Sequence, residues 1–307
     1  MPAGSRSAAP LMKPAMKLDL PALLMGLAFS LMWSSAFATA RIIVVDASPL
    51  LVLALRFLIS GVIAVTIARV RGQSWHLSRP VARSVVIFGL CQNALYLGLN
   101  FVALQWVEGS LASVIASSMP LLVAAIGFAM GERLPRLGIA GLLAGFAGVA
   151  LIMGSRITQG ADPTGVVLCV IGATALAFAT RLVKSVSAGG NLLMVVGLQM
   201  LVGSALLALT AMAIEVPRLN LTPHLIAALS YQIFVPGLTA TLLWFTLVRR
   251  IGAVRAATFH FLNPFFGVAV AATLLGERIT PTDVAGVMIA MAGILAVQMS
   301  RQAASKA

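Results

Sequence analysis

Polar side chains recur at helical spacing inside one long apolar stretch of the sequence. Gln92, Tyr96 and Asn100 are four residues apart, so an α-helix would place all three on one face. Their amide and hydroxyl groups can bind a small polar molecule through hydrogen bonds. They can equally hold neighbouring helices together, and the spacing leaves both interpretations open.

Other apolar stretches carry single residues that could likewise bind a small molecule or hold helices together. Amide side chains can hydrogen-bond an ammonium or a carboxylate group, and tryptophan rings can stack on a ligand or contact a cation. A histidine in such a stretch either supports the fold or carries a proton, and a tryptophan either lines a pocket or fills the bundle. The candidates are Trp33, Ser117, Trp244, His260 and Asn263.

Two prolines interrupt apolar stretches that correspond to each other in the two halves of the chain. Pro120 and Pro264 would each leave a backbone carbonyl without its helical partner and bend the helix axis. Such a bend is either a static kink or a hinge that also exposes carbonyl groups to a ligand. Their matching positions make both prolines hinge candidates.

The elements that must position these residues are membrane helices. Of the 307 residues, 60% are hydrophobic and 9% are charged, whereas a soluble domain carries about 25% charged residues. The chain therefore lacks the polar surface of a water-soluble protein. Ten apolar segments approach the ~20 residues that a helix needs to cross a bilayer. They lie at about 22–40, 50–69, 84–104, 110–130, 137–154, 164–181, 192–213, 224–247, 254–275 and 283–300.

The net charge of +13 indicates membrane topology rather than nucleic-acid binding. With the N-terminus inside, sixteen lysines and arginines fall on the inside and four in outside loops. This distribution follows the positive-inside rule. We therefore predict that both termini are cytoplasmic, that the partner surface is the lipid bilayer, and that the protein binds no nucleic acid.

A short passage occurs twice in the chain. Gly131-Glu132-Arg133 recurs 145 positions later as Gly276-Glu277-Arg278. Each copy belongs to a unit of five apolar segments, and an odd unit repeated in tandem must insert upside down the second time. Inverted repeats are typical of secondary transporters, so we predict an all-α membrane fold with two inverted halves. The predicted regions are a cytoplasmic tail at 1–19 and five-helix repeats at 20–155 and 163–300.

The Gly-Glu-Arg passages themselves indicate turns at the membrane edge. After the second copy, Thr280 can cap the next helix together with Asp283, as in a capping box. The fifth and tenth segments follow these turns and are rich in glycine and alanine, which let helix backbones approach closely in lipid. We expect these two helices to be packing or dimer helices rather than cavity walls, in a monomer or a homodimer.

Charged and reactive side chains give few signs of catalysis or metal binding. All eight acidic residues lie in loops or at segment ends, and Cys91 and Cys169 lie within segments. The sequence contains no phosphate-binding loop, paired-histidine metal motif or Gly-x-Ser-x-Gly elbow. We therefore predict no enzyme activity, catalytic residue, cofactor, metal site or disulfide. Arg56, within the second segment, anchors its helix by reaching the interface, neutralises carbonyl groups, or binds a carboxylate.

Several passages are shared with a known family. They are Trp33 to Phe37, Arg56 to Leu58, the run from Gly98 through Pro120 and Gly131-Glu132-Arg133 to Gly148, and the run from Trp244 to Gly293. In these passages each half resembles the EamA domain of the drug/metabolite transporter superfamily. The resemblance implies ten helices in two inverted halves, a bacterial inner membrane and export of small polar metabolites. Within the superfamily the chain is most similar to bacterial amino-acid exporters, including those for aromatic amino acids.

We predict export of amino acids by alternating access, through a cavity between helices one, three, four, six, eight and nine. The ammonium and carboxylate of the substrate would bind Gln92, Asn100 and Asn263. Its side chain would pack against Tyr96, Trp33 and Trp244.

The sequence leaves three alternatives to amino-acid export open. They are export of nucleosides or other small metabolites, efflux of lipophilic cations, and a scaffold or sensor without transport. Proton-coupled carriers commonly use a carboxylate inside the membrane. Since the acids lie at segment ends, the sequence favours facilitated transport or coupling through His260.

Overall fold

The computed structural model describes residues 19–182 and 191–304. Within these residues, ten helices are long and apolar enough to cross a membrane, which confirms the predicted all-α fold. Residues 1–18 of the predicted tail lie outside the described residues. The helices are helix 1 (Leu20–Asp46), helix 2 (Pro49–Val70), helix 3 (Arg79–Ala103), helix 4 (Gly109–Ala129), helix 5 (Arg136–Thr158), helix 6 (Pro163–Thr180), helix 7 (Leu192–Ile214), helix 8 (Pro223–Ile251), helix 9 (Arg255–Leu275) and helix 10 (Pro281–Ala303).

Several helices extend beyond the predicted apolar segments, and helix 1 is the clearest case. It continues past residue 40 to Asp46, and its Arg41 donates a hydrogen bond to the backbone carbonyl of Leu104. A charged residue at the membrane edge therefore does not end the helix. The start of helix 1 has a side-chain cap, since Asp19 accepts from Ala22 N at 3.2 Å.

The ten helices place their connecting loops alternately on two membrane faces. We call the face with Asp19, the 71–78 loop and Gly252 the Asp19 face. The other is the Glu108 face, and it contains the loops around residues 47, 106, 160, 218 and 278. Each face carries connections from both halves of the chain.

Contacts between the helices follow the internal repeat. Helices 2 and 7, 4 and 9, and 5 and 10 pack as counterparts, one from each half. Helix 1 packs against helix 8, and helix 6 packs against helix 3 in the equivalent way. The bundle therefore has the symmetry expected when one five-helix unit is present twice.

Four helices are irregular, and they too form equivalent pairs. Helices 3 and 8 contain π-helical segments at Gly89–Leu97 and Ile233–Thr239. Helix 4 breaks between Ser117 and Met119, and helix 9 contains a 3-10 segment at Thr258–Leu262.

The two predicted hinge prolines lie directly after the breaks in helices 4 and 9. Pro120 is in the first turn of Met119–Ala129, and Pro264 is in the first turn of Asn263–Leu275. The first turn suits proline, because its missing N–H has no helical partner there in any case. The prolines thus start new helical pieces, and their role as hinges stays a prediction.

Helices 5 and 10 are joined along a line of glycines. A Cβ atom on Gly148 would lie 2.5 Å from Ala290 N, and one on Gly293 would lie 2.3 Å from Gly145 N. Backbones at this distance leave no room for a side chain. The two helices therefore pack against each other within one chain, which agrees with the packing role expected for them.

We expect Gly148→Ala to lower the free energy of unfolding by about 1–3 kcal/mol, because the added methyl group would push against the backbone of helix 10. The matched control is Gly154→Ala on the same helix. No atom lies within 4 Å of a Cβ placed on Gly154, and alanine favours the helix. Unfolding of both variants in detergent micelles measures the difference. Equal stability of the two variants would contradict the close packing.

Candidate functional site

A cavity of about 400 Å³ lies within the bundle, in the half nearer the Asp19 face. Its walls come from the beginnings of helices 1, 3 and 7 and from the ends of helices 6 and 8, which all lie towards that face. We call it the main cavity. Its lining includes Phe29, Trp33, Ser84, Gln92, Asn93, Met119, Thr180, Gln199, Trp244 and His260.

One wall of the main cavity is aromatic. The ring centroids of Phe29 and Trp244 are 4.8 Å apart, and those of Trp244 and His260 are 5.1 Å apart. His260 also meets Phe29 edge-on, at 5.4 Å and 90°. Trp244 and His260, both predicted site residues, thus form one ring cluster that a flat or cationic group can contact.

Amide groups from helices 3 and 7 lie across the main cavity. Gln92, a predicted site residue, is half-buried there. Its neighbour Asn93 donates a hydrogen bond to the backbone carbonyl of Gln199 at 2.8 Å. The wall therefore offers hydrogen-bonding groups without a net charge.

The three residues of the predicted stripe line two neighbouring cavities. Gln92 lines the main cavity, whereas Tyr96 and Asn100 line a second, smaller cavity. Gln92 and Tyr96 lie within the π-helical segment Gly89–Leu97, which has a wider turn than the regular α-helix that the prediction assumed. A common face for the three residues stays a prediction.

The second cavity measures about 30 Å³ and lies next to the main cavity. Trp33 belongs to the lining of both cavities, so its ring is their common wall. Asn100 is buried, and its Nδ2 donates to the carbonyl of Tyr96 at 2.7 Å. Its Oδ1 has no hydrogen-bond partner among the described residues. We call this space the small cavity.

Arg56 also lines the small cavity, and its side chain does not reach the membrane interface. The residue is 5% exposed and lies beside Tyr96 and Asn100 in the lining. The interpretation of Arg56 as an anchor at the interface was therefore wrong. The second half has Gln199 where an arginine corresponding to Arg56 would be expected, and Gln199 lines the main cavity.

Two predicted site residues lie outside the described linings of both cavities. Ser117 is buried, and its hydroxyl donates to the carbonyl of Ser113 at 2.6 Å. Asn263 is buried where helix 9 resumes, and its side-chain nitrogen is 3.0 Å from Nδ1 of His260. The breaks in helices 4 and 9 turn these residues into the bundle. Asn263 can still act by holding the ring of His260 in place.

The Glu108 face is closed by two glutamates that bind helix ends. The carboxylate of Glu277 accepts hydrogen bonds from Gly109 N at 2.7 Å and Ser110 N at 3.0 Å. Glu215 accepts from Leu50 N at 2.8 Å and Leu51 N at 3.0 Å in the same way. The first N–H groups of a helix lack helical partners and attract negative charge. Each glutamate thus ties a loop to the start of helix 4 or helix 2.

A buried ion-pair network closes the same face. Arg156, 6% exposed, makes a bidentate contact with Asp283 at 3.1 and 2.8 Å and a contact with Glu108 at 2.5 Å. It also donates to the carbonyl of Arg278 at 3.0 Å. Asp283 in turn accepts from Thr280 N at 2.8 Å, as the predicted capping box requires. The network joins helices 4, 5 and 10.

Backbone pairing completes the closure on the Glu108 face. Ala47 and Leu219 form an isolated antiparallel bridge, and Ser48 N donates to the carbonyl of Arg218 at 2.8 Å. The largest cluster of buried apolar side chains, which includes Ile43, lies in this half of the bundle. The described residues therefore form a bundle that is packed near the Glu108 face and hollow near the Asp19 face.

The Asp19 face has an exposed ion pair and backbone-to-side-chain hydrogen bonds between the halves. Met194 N donates to Gln73 Oε1 at 3.0 Å, and Ser74 N donates to Asn191 Oδ1 at 3.1 Å. Arg250 and Asp19 form an exposed ion pair at 2.9 Å, and the hydrogen bond from Arg250 lowers the pKa of the Asp19 carboxyl. Exposed pairs of this kind contribute little to stability because water and salt screen them.

Comparison with known proteins identifies the family of the chain. The EamA-like transporter family matches residues 20–154 and 163–299 of the chain. The chain belongs to the EamA-like transporter family. The resemblance seen in the sequence is thereby confirmed, and the protein is a membrane transporter rather than an enzyme.

Individual relatives within this family are distant. The uncharacterized transporter YvbV of Bacillus subtilis (strain 168) is 26% identical over 89% of this chain and 90% of its own length. The uncharacterized inner membrane transporter YedA of Escherichia coli (strain K12) is 25% identical, with 83% of each chain covered. A probable amino-acid metabolite efflux pump of Salmonella typhimurium is 25% identical over 85% of this chain and 89% of its own.

A solved structure shows the same fold. A protein crystal structure that is 22% identical superimposes with a TM-score of 0.62 and covers 92% of this chain and 98% of its own.

The ion-pair network leads to a prediction about Glu108 and Asp283. Burial raises the pKa of the Glu108 carboxyl, although the Arg156 guanidinium acts in the opposite direction. A folded-state pKa above the unfolded one means that the stability contributed by Glu108 is present at low pH and is lost as the pH rises through the folded pKa. Glu108→Gln resembles the protonated carboxyl at every pH, so it should remove this loss of stability and make the Tm vary less with pH.

Asp283→Asn should instead lower the stability strongly. The amide can still cap helix 10, but the buried Arg156 loses its charged partner, and breaking a buried pair costs about 3–5 kcal/mol. Thermal unfolding of both variants in detergent between pH 5 and 8 measures the two effects. Equal destabilisation by the two substitutions would contradict the separate roles.

Proposed function

We propose that the protein exports amino acids from the cytoplasm by alternating access. The observation that carries this proposal is the main cavity, which has aromatic and uncharged amide walls and lies behind a closed Glu108 face. An amino acid needs both kinds of wall, since it has hydrogen-bonding groups at one end and a side chain at the other.

The orientation follows from the charge distribution. Among the described residues, eleven arginines lie on the side of the Asp19 face and four on the side of the Glu108 face, which supports a cytoplasmic Asp19 face by the positive-inside rule. The conformation described above is then inward-facing, with its cavity ready for a cytoplasmic substrate. Release would require the contacts of Glu277, Glu215 and Arg156 to separate while the main cavity closes towards the Asp19 face.

The residues of the main cavity take distinct roles in this proposal. Gln92 and Asn93 supply hydrogen bonds to the polar end of the substrate as it enters the main cavity. Trp244 and Trp33 pack against its side chain by stacking or cation–π contact. His260 supports Trp244, and Asn263 fixes the orientation of the His260 ring.

The names of two relatives also support the proposal. The Salmonella typhimurium relative is named a probable amino-acid metabolite efflux pump, and the Escherichia coli relative is named an inner membrane transporter. We extend the amino-acid substrate and a bacterial inner membrane to this chain as part of the proposal. A monomer or homodimer remains the expected assembly.

The test is counterflow of labelled substrates into proteoliposomes that hold the purified protein. We expect saturable flux of aromatic amino acids above that of protein-free vesicles. Flux of nucleosides or quaternary cations instead would replace the proposed substrate, and flux equal to protein-free vesicles for every compound would remove the transport assignment of this cavity.

Trp244→Ala should reduce amino-acid counterflow about tenfold, which corresponds to ~1.4 kcal/mol of lost binding, because it opens the aromatic wall. The matched control is Trp106→Ala, since Trp106 is exposed near the Glu108 face and outside both linings. The control should retain wild-type flux. An equal loss in both variants would show a general effect on folding or insertion.

A further inference from the structure

We propose that Arg56 binds the carboxylate of the transported molecule in the small cavity, and that the transporter is therefore selective for carboxylate-bearing cargo. This inference rests on the proposed function, because it names the part of the substrate that the small cavity recognises. Arg56 has not been given a role in the main cavity, and its environment is the reason for the proposal.

Arg56 is a charge deep in the membrane part of the protein. It lies seven residues beyond Pro49, which is about 10 Å along helix 2 from the Glu108 face. Its residue exposure is 5%, and Nε has no hydrogen-bond partner among the described residues. A buried charge without a partner is unfavourable. Sites of this kind in membrane proteins are typically functional.

The neighbours of Arg56 leave this charge uncompensated. The guanidinium carbon is 5.2 Å from the centre of the Phe57 ring, and a neutral ring stabilises a cation without neutralising it. The ion pairs described above involve Arg156 and Arg250, which lie at the membrane faces. A ligand carboxylate suits the open position, because the planar guanidinium can donate two parallel hydrogen bonds to it.

Asn100 supplies the complementary group in the same cavity. Its Nδ2 is committed to the carbonyl of Tyr96 at 2.7 Å, which fixes the side-chain amide because a carbonyl cannot donate. Its buried Oδ1 is left without a partner among the described residues. An unpaired acceptor in the lining that holds an unpaired cationic donor matches the ammonium and carboxylate groups of an α-amino acid.

The sizes of the two cavities indicate how a molecule would be divided between them. The small cavity, at about 30 Å³, has room for a polar head group, whereas the main cavity has about 400 Å³. Trp33 lines both. A substrate whose head group passes Trp33 to reach Arg56 leaves its side chain in the main cavity, against Trp244. The carboxylate and the side chain of the substrate would thus be recognised in different cavities.

The experiment uses the full chain in lipid nanodiscs and proteoliposomes with four probes of the same ring size. L-phenylalanine and 3-phenylpropionate carry a carboxylate, whereas phenylalaninamide and phenethylamine do not. Binding is measured by calorimetry and transport by counterflow. We expect the two carboxylates to bind at least tenfold more tightly than the amide and the amine.

Arg56→Gln should weaken binding of both carboxylates at least tenfold and leave binding of phenethylamine unchanged. Arg56→Lys keeps the charge but loses the paired donors, so it should restore part of the preference. The matched control is Arg69→Gln, which removes one arginine from an exposed position of the same helix. It should behave as the wild type. The Lys variant and the wild-type probe series also decide the question if the Gln variant does not fold.

The outcomes separate this inference from the proposed function. An unchanged carboxylate preference in folded Arg56→Gln protein, or no preference in the wild type, overturns the role of Arg56 and leaves amino-acid export intact. Arg56-dependent binding of 3-phenylpropionate without amino-acid counterflow overturns the proposed substrate and supports Arg56 as a binder of other organic acids. Absence of both carboxylate binding and amino-acid flux overturns both proposals.

Discussion

A charge buried in a lipid bilayer is costly unless it finds partners inside the protein, and two arginines that are buried in the described part of the chain differ in this respect. Arg156 contacts two carboxylates and a carbonyl, and it holds helices 4, 5 and 10 together at the Glu108 face. Arg56 is as deeply buried, yet its Nε has no partner among the described residues. The first arrangement closes the Glu108 face. The second leaves a charged hydrogen-bond donor in the lining of the small cavity without a partner among the described residues.

The internal repeat explains how one bundle is packed at one end and hollow at the other. The two halves make equivalent helix contacts, and their irregular segments lie in helices 3 and 8 and in helices 4 and 9. The contacts that the described residues make at the two faces differ in kind. The Glu108 face has the buried pair of Arg156 and Asp283 and the helix start held by Glu277, whereas the contacts at the Asp19 face include an exposed pair between Asp19 and Arg250. In the proposed alternating access, equivalent backbones would let the closed face change sides without a change of fold.

The sequence was sufficient for the ten helices, the repeat and the family, because apolar length and the recurring Gly-Glu-Arg passage are local signals. It was not sufficient for the path of helix 3, since nothing in the spacing of Gln92, Tyr96 and Asn100 reveals a π-helical turn. It also placed Glu277 in a membrane-edge turn without a role, while the structure shows it bound to the start of helix 4. The partners of Arg156 come from the start of helix 4 and from helix 10 with the loop before it, which are far apart in the chain. Such contacts depend on tertiary packing, although the recurrence of the glutamate was a signal that could have suggested a shared task.

The glutamate contacts at the Glu108 face have a consequence for how this protein can diverge. Glu215 binds Leu50 and Leu51 through backbone N–H groups, and Glu277 binds the start of helix 4 through the same kind of donor. Every residue except proline carries that donor. Substitutions other than proline at positions 50 and 51 can therefore keep these contacts, as long as the replacement at position 50 fits the buried site of Leu50. Selection for this closure would therefore act on the two glutamates, and it would exclude proline from the positions that they contact.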